Sequence, residues 1–543
     1  MAANNEFPER HVVPRWRTFR ETMANNELSG ELIQKARVLD TKPFLDQKEK
    51  DWLSNKELPF AVDLVSAATM FGKSESSVSA ANYILENQSK CSNVAIDLAN
   101  KLLGIETLKT DQINPVSKSE IRANLKELKA RRISQSGNAF VWADLARLYV
   151  LLGQKDQAKH AIKVALNLAP AERFILRSAT RFFLHNKEHD FALKLLRSNS
   201  RTSMDPWLTA AEIAVSSILK KTPKFVRFAR DLIENNNIQT FHKSELASSL
   251  ASLELGEGRD KKANKLFLFS LKDPTENAVA QYVWTSKRNG FTPINPGLLK
   301  VQNASEARTF NANNNAQWND VIKNAHEWSQ TELFSARPRM VAASTTAYFL
   351  SENDSNYEFL NEGLKINPGH PGLVNSLAFS LAWNGKPEKA EKVINTLNTD
   401  KVTPSEALCL VATAGLILIR CGDIKEGKIF YEKAIAGAAK IKNDYLKSLA
   451  ELHLAHELIN LGEEKADKEF KRVYEQAIKQ NATNLPFIAK SIANRIEKSS
   501  IQKSENKDHP FLTKINSIIN RDEPHFGPSP FVMGSNQGIK PTS

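Results

Sequence analysis

Cysteine is scarce in this chain of 543 residues. The three cysteines, Cys91, Cys409 and Cys421, form an odd and scattered set, which argues against a disulfide framework and fits a reducing compartment. No uninterrupted apolar run approaches the ~18 residues of a membrane span. The polar opening MAANNEFPERHVVPRW has no apolar core of the length that a secretory signal needs. We therefore expect a cytoplasmic protein without a membrane-spanning segment.

Motifs of known catalytic chemistry are also missing. The chain has no GxSxG elbow, no dinucleotide fingerprint and no CxxC pair. The string from Gly422 to Ile429 nearly spells the phosphate-binding loop, but Ile429 stands where a magnesium-binding hydroxyl is required, and the string follows a helical pattern instead of a strand. We expect no nucleotide or other cofactor.

Two histidine pairs have helical spacing, His185 with His189 and His453 with His456. Each could be half of a metal site, but no cysteine or glutamate arrangement completes either pair, so we expect no metal. The sequence thus predicts a protein that is not an enzyme. A site dispersed over the terminal segments stays open as an alternative, since it would leave no local motif.

Acidic residues are outnumbered by basic ones, and the net charge is +13 with a pI of about 9.3. This excess permits acidic or nucleic-acid partners without requiring them. Two clusters are candidate phosphate contacts, although a solvated helix face is the simpler interpretation of each. They comprise Lys126, Lys129, Arg131 and Arg132, and then Lys220, Lys221, Lys224 and Arg227.

A unit of two amphipathic helices is present between Phe140 and Pro170. Apolar residues of each half share one helical face, Gly153 separates the halves, and Pro170 ends the second one. The first face holds Trp142, Leu145, Ala146 and Tyr149, and the second holds Ala158, Ile162 and Ala165.

The same register recurs further along the chain, with glycines at Gly385, Gly422 and Gly462 in the place of Gly153. Fainter copies extend from about Pro59 to Gln480. An irregular helical domain has no reason to repeat one register in this way, so the repetition indicates a stack of helical hairpins.

These units resemble the tetratricopeptide repeat, a helix–turn–helix unit of about 34 residues. The resemblance implies an all-α fold, a right-handed α-α superhelix whose first helices line a concave groove. It also implies a non-catalytic scaffold that holds a peptide or protein segment in that groove, as a subunit of a multi-protein system. A basic helical-repeat protein that binds RNA or DNA through its midsection is the alternative, and its affinity should fall steeply with salt.

Helical spacing indicates which residues would face the groove. The predicted partner-binding residues are Phe140 and Arg147 in the first clear unit and Asn375, Phe379, Trp383 and Arg420 in the later ones. This lining departs from the lysine and asparagine clamp with which chaperone-binding members hold a terminal carboxylate, and it suits extended or helical protein segments.

The predicted organisation has five parts. They are an N-terminal arm or cap at 1–58, a first repeat block at 59–290, a joint at 291–315, a second block with a capping helix at 316–497, and a proline-containing tail at 498–543. The arm could dock a partner, grip nucleic acid, or cover the first repeat with Trp16 and Phe19. The tail could fold back on the solenoid, bind a partner, or be disordered.

Overall fold

In a computed structural model, the structure describes residues 10–17, 42–71, 73–88, 91, 93–105, 118–134, 136–235, 238–289, 291–350, 354–400, 402–480, 484–496 and 511–521. The described residues form helices and connecting turns, and no strand occurs among them. The predicted all-α class is confirmed.

The helices are numbered here in chain order. The first thirteen are α1 Lys42–Ser54, α2 Leu58–Phe71, α3 Glu75–Glu86, α4 Asn93–Leu103, α5 Lys118–Ser134, α6 Ala139–Leu151, α7 Lys155–Leu168, α8 Arg173–His185, α9 His189–Ser198, α10 Pro206–Ile218, α11 Val226–Glu234, α12 Thr240–Gly256 and α13 Asp260–Ser270. The others are α14 Glu276–Asn289, α15 Ser305–Asn314, α16 Trp318–Thr331, α17 Arg337–Phe349, α18 Asp354–Ile366, α19 Pro371–Trp383, α20 Pro387–Ile394, α21 Pro404–Cys421, α22 Ile424–Lys440, α23 Asp444–Asn460, α24 Ala466–Ile478, α25 Leu485–Ala493 and α26 Phe511–Arg521. Short 3₁₀ turns cover Ser200–Ser203 and Pro296–Lys300.

Consecutive helices pack as hairpins, and successive hairpins stack. Helix α6 packs on its return helix α7 and also on α8, the first helix of the next hairpin, and α21 packs in the same way on α22 and α23. Each unit thus buries its apolar face on its neighbours, as in a solenoid.

The predicted corners between paired helices are confirmed. Gly153, Gly385, Gly422 and Gly462 have φ values of 72°, 73°, 97° and 69°. These left-handed conformations are open to glycine because it has no Cβ to clash with the backbone. Where the chain lacks the glycine, another residue takes the same conformation, as Ala316 does with φ 55°.

Replacing Ala316 by glycine should stabilise the fold by about 0.5–1 kcal/mol. The strain of a left-handed alanine is about 1–2 kcal/mol, and the added flexibility of glycine in the unfolded chain offsets part of its relief. Urea denaturation followed by circular dichroism measures the change. Ala312→Gly, on the helix α15 before the same corner, is the matched control and should destabilise by about 1 kcal/mol or more. Equal effects of the two changes would contradict the assignment of strain to Ala316.

The string from Gly422 to Ile429 resembles a phosphate-binding loop, and its two glycines are explained by the turn and the close packing of α21 and α22. A Cβ on Gly427 would lie 2.8 Å from the carbonyl oxygen of Gly415 across the α21–α22 hairpin. Gly422 is the corner of that hairpin. Both glycines of the string therefore serve the fold, and the string joins two helices, as expected from the sequence.

One helix among those described, α21, is long and apolar enough to cross a bilayer by length and composition. Most of its residues are buried, and it packs on α19, α22 and α23. These contacts are those of a core helix of the stack.

The predicted joint at 291–315 contains a helix in the structure. Residues 291–304 form an irregular connection, but Ser305–Asn314 is a helix that packs on α14 and α16. The asparagine-rich run from Asn311 is part of this helix and its turn, because Ala307, Phe310 and Ala312 are buried on it. The division of the repeats into two blocks stays a prediction, and the names first and second block are kept below for residues 59–290 and 316–497.

Parts of the chain that are far apart in sequence meet in the stack. The Lys187 ammonium, at the corner between α8 and α9, lies 3.1 Å from the Glu406 carboxylate on α21. Phe334, before α17, is buried among residues of the first block such as Phe182. The two blocks therefore contact each other along the superhelix.

The tail folds back in its described part. Phe511, Ile515 and Ile518 on α26 are buried against α20 and α21, and the Lys514 ammonium donates to the Leu397 carbonyl at 3.1 Å. The apolar string at 525–534 lies outside the described residues. The predicted capping helix is α25, which ends at Ala493 and packs on α17.

The described part of the N-terminal arm, residues 10–17, lies among the first helices of the hairpins. Trp16 is buried in the core cluster of the first block, and its carbonyl accepts a hydrogen bond from Arg147 of α6 at 3.3 Å. Phe19 lies outside the described residues. Trp16 thus covers helices, as one of the sequence interpretations held, but along the inside of the block.

Candidate functional site

The first helices of four successive hairpins, α17, α19, α21 and α23, enclose a cavity in the second block. Helical spacing brings the lining residues into line, since Asn375 and Phe379 are four apart on α19, and Leu449 and His453 are four apart on α23. The cavity therefore follows from the repeat itself, with each hairpin supplying one wall.

This cavity has a volume of about 470 Å³ and a mostly apolar lining. Volumes of 300–1,000 Å³ are typical of ligand pockets, which combine an apolar wall with a few polar groups. The wall includes Met340, Ala343, Phe379, Leu408, Ala412 and Leu449.

Aromatic rings cluster at one side of the cavity. The ring of Phe379 lies 5.7 Å from that of Tyr348 and 5.2 Å from that of His453, and it stacks on Trp383 at 5.8 Å. Arg495 caps the cluster, with its guanidinium 5.6 Å from the Trp383 ring. Such contacts hold the rings in one arrangement. Aromatic residues also contribute most of the binding energy at many protein interfaces.

His453 is a neutral imidazole inside this cluster. Burial, together with the nearby His456, Arg420 and Arg495, lowers its pKa to about 3. The Tyr348 hydroxyl lies 2.8 Å from His453 Nε2, and burial raises the pKa of Tyr348, so the tyrosine keeps its proton. The simplest assignment has Tyr348 donate to Nε2, which puts the histidine proton on Nδ1.

Two buried polar atoms of cavity residues lack a hydrogen-bond partner within the described part of the chain. They are His453 Nδ1 and the hydroxyl oxygen of Ser380. Buried polar atoms are normally paired, because an unpaired one costs about 1–3 kcal/mol.

The rim of the cavity is polar, and hydrogen bonds at the start of a helix hold its side chains in place. Thr403 and Glu406 form a capping box at the start of α21, and the Glu406 carboxylate also pairs with Lys187. Burial alone raises the pKa of Glu406, but Lys187 and the hydrogen bonds from Thr403 more than offset this and lower it. The rim carboxylate is therefore ionised and paired at neutral pH.

The cavity thiol, Cys409, is not an activated nucleophile. Burial, together with the nearby Glu406 carboxylate, raises its pKa to about 12, so it is a neutral thiol at physiological pH. No cluster of three or more metal-ligating side chains occurs in the described ranges. His453 bonds Tyr348, and His456 bonds Glu457 at 3.0 Å, so this histidine pair is engaged in core contacts.

The structure divides the predicted groove residues into three places. Asn375 and Phe379 line the cavity. Trp383, 6% exposed, and Arg420, which pairs with Glu457 at 2.7 Å, lie behind it in the aromatic and ionic support. Phe140 and Arg147 belong to the first block, where Arg147 is buried and donates a hydrogen bond to the N-terminal arm. A role of these six in binding stays a prediction.

The predicted phosphate-contact residues lie at two separate places. Lys126, Lys129, Arg131 and Arg132 are on α5, and Lys220, Lys221, Lys224 and Arg227 are in the turn before α11 and on it. Several already have partners, since Arg131 pairs with Glu127 at 3.0 Å and Lys221 with Asp190 at 2.6 Å. The side chains of Lys129 and Arg132 lie over aromatic rings of α6.

Sequence reasoning missed Tyr348, Cys409 and the cavity role of His453. These three residues and Phe379 lie on four successive hairpins, so no local sequence pattern connects them. The helical register that located Phe379 would locate Tyr348 and His453 only once the order of the inner helices is known.

Comparison with known proteins identifies one repeat directly. The model of one family, described as tetratricopeptide repeat, matches residues 141–172, which cover most of α6 and all of α7. No curated protein matches the chain. Among solved structures, the APC/C hetero-tetramer Cut9–Hcn1 is 13% identical with a TM-score of 0.37, over 92% of this chain and 96% of that one. Yeast Tom70 is 14% identical with a TM-score of 0.33, over 84% of this chain and 96% of that one.

Proposed function

We propose that this chain, a tetratricopeptide-repeat protein, is a scaffold that holds a protein segment in the cavity of its second block. The observation that carries the proposal is an apolar cavity walled by the first helices of four successive hairpins. Its walls come from rigid helices, so the site needs little ordering when a segment binds.

The lining indicates what kind of segment binds. Apolar walls around Phe379 and Ala412 suit one or two large apolar side chains, each of which contributes about 1.5–3 kcal/mol when buried. We therefore infer a segment with apolar anchors and few charges.

Filling the cavity should weaken this binding. In Ala412→Phe the added ring occupies part of the 470 Å³ that a ligand side chain would take. Peptides selected from a random display library on the full chain should bind Ala412→Phe at least ten-fold more weakly, measured by fluorescence anisotropy. A ten-fold loss corresponds to about 1.4 kcal/mol, less than the burial of one anchor.

The matched control is Ala439→Phe, which adds the same ring at an exposed position of α22 outside the cavity. It should leave the affinity of the selected peptides unchanged. Peptides that bind both variants as tightly as the parent chain would place the binding surface elsewhere and contradict the proposal. Circular dichroism of both variants checks that the fold is intact.

The non-catalytic role, the multi-protein assembly and the cytoplasmic location are parts of the same proposal. Binding of nucleic acid through the basic midsection stays the second prediction. Exposed Lys126 and Arg227 support it, while the ion pairs of Arg131 and Lys221 weaken it. A filter-binding titration with RNA and DNA that shows no salt-sensitive binding would exclude it.

A further inference from the structure

An extended segment of the chain crosses the inner side of the first block. Residues 10–17, RHVVPRWR, are non-helical and largely buried, and they contact residues about 130 to 320 positions away. Their partners lie on the first helices α6, α8 and α14 and on α15. The segment thus lies where a groove-bound peptide of a repeat protein would lie.

The backbone of the segment is held by side-chain amides. Asn277 Nδ2 donates to the Val13 carbonyl at 2.8 Å, and Gln281 Nε2 donates to the Arg10 carbonyl at 3.1 Å. Asn277 and Gln281 are one helical turn apart on α14, so they form a ladder along the extended chain. This contact recognises an extended backbone of any sequence.

Side chains add specificity for arginine. The Arg10 guanidinium binds both carboxylate oxygens of Glu306, at 3.0 and 2.9 Å, and Arg15 pairs with Glu332 at 2.8 Å. Arg17 pairs with Glu276. Bidentate and buried contacts of this kind match the planar guanidinium and not a lysine ammonium.

An aromatic pocket receives the tryptophan. The Trp16 ring lies 5.9 Å from Phe182 and 5.4 Å from Phe334, and it is 1% exposed. A buried tryptophan flanked by paired arginines has the composition of a binding hot spot.

Without the segment, three acidic residues, Glu276, Glu306 and Glu332, would lose their main counter-charges. Glu306 and Glu332 are buried, and the cations left beside them would be Arg337 and Arg181. Buried carboxylates are costly unless they are paired, so this surface requires a cationic occupant. The 24 residues 18–41 separate the segment from α1 and span up to roughly 80 Å when extended. They are long enough for the segment to leave without unfolding that helix.

We propose that the surface formed by α8, α14, α15 and residues 332–334 is a binding site for extended arginine- and tryptophan-bearing segments. Residues 10–17 occupy it as a releasable ligand in cis. A segment of the same chemistry in a partner protein takes their place. This site is separate from the cavity of the second block, and the two sites are tested by substitutions at different residues.

The test uses the full chain with a specific protease site in place of residues 26–32, cut after folding. The probe is a fluorescent peptide of residues 6–20. After the cut, the N-terminal piece should stay with the solenoid in size-exclusion chromatography at micromolar concentration, and the labelled peptide should then exchange into the site. The same peptide with Arg15→Ala and Trp16→Ala should bind at least 30-fold more weakly, because one partner of a buried ion pair and the anchor ring are missing.

Two outcomes would overturn the proposal. In one, the piece stays bound and no labelled peptide enters over a day, which makes residues 10–17 a permanent part of the core. In the other, the piece leaves and the peptide does not bind although circular dichroism shows an intact solenoid. Binding of this peptide should be unchanged by Ala412→Phe, so failure here is distinguishable from failure of the cavity proposal.

Discussion

Replacing Glu306 by alanine is expected to lower the free energy of unfolding by about 3–5 kcal/mol, because the change leaves buried guanidinium groups without their counter-charge. Glu306 is 2% exposed and pairs with Arg10 at 2.9 Å, with Arg337 at 3.2 Å, and with Arg15. Burial alone raises the pKa of Glu306, but these three arginines more than offset it and hold the pKa well below its ordinary value. The carboxylate is thus charged and is the shared partner of three buried or partly buried arginines.

The comparison for this change is Glu469→Ala, which removes one partner of the exposed ion pair with Arg472. Exposed pairs of this kind contribute about 0–1 kcal/mol, so the loss should stay within that range. Urea denaturation of the two variants and the parent chain gives both values. A Glu306→Ala loss no larger than that of Glu469→Ala would show that the buried cluster adds nothing to stability.

Lowering the pH from 7.5 to 5 is expected to reduce the free energy of unfolding by about 4 kcal/mol through two buried histidines alone. Burial, with a smaller contribution from His456 and Arg420, lowers the pKa of His453 to about 3, and burial with a smaller contribution from Arg173 lowers that of His242 to about 4. In the unfolded chain both titrate near the ordinary value of 6.5.

The sign follows from which state binds the proton. Below pH 6.5 both histidines are protonated in the unfolded chain, whereas in the folded chain they stay neutral down to about pH 3–4. The free energy of unfolding therefore falls by about 1.4 kcal/mol per pH unit for each histidine. Carboxylates with a lowered pKa lose their contribution to stability only at lower pH. Glu332, which Arg15 and Arg181 hold at a pKa of about 2 against the effect of burial, loses its contribution only as the pH falls below its ordinary value of 4.5 toward 2.

His453→Gln isolates the part of this slope that belongs to the aromatic cluster. The amide can still bond the Tyr348 hydroxyl, which lies 2.8 Å from the imidazole, but it does not titrate. Free energies of unfolding from urea denaturation at pH 7.5, 6.5 and 5.5 should therefore fall less than those of the parent chain, by about 1.4 kcal/mol over the whole interval. Identical slopes for the two proteins would mean that His453 is not held neutral by the fold.

Local patterns predicted the helices and their corners correctly. Trp142, Ala146 and Ala158 lie where the repeat register predicts, and Gly153 turns the chain between α6 and α7 in a left-handed conformation. This success has a physical cause, because periodicity, small residues at crossings and glycine corners act over one hairpin. The bounds of the joint stay a prediction, although the asparagine-rich run from Asn311 begins within a helix on which Ala307 and Phe310 are buried.

By itself, the sequence determined a stack of helical hairpins, the place of its corners and the register of its inner residues. Only the tertiary structure decided what lies against each part of the inner face. Arg147 meets Trp16, whereas Phe379 borders an open cavity, although helical spacing gave both the same predicted role. The reason is distance along the chain, because contacts such as Arg10 with Glu306 or Lys187 with Glu406 join residues more than 200 positions apart. Such pairings depend on how the superhelix returns on itself, and no local pattern encodes that geometry.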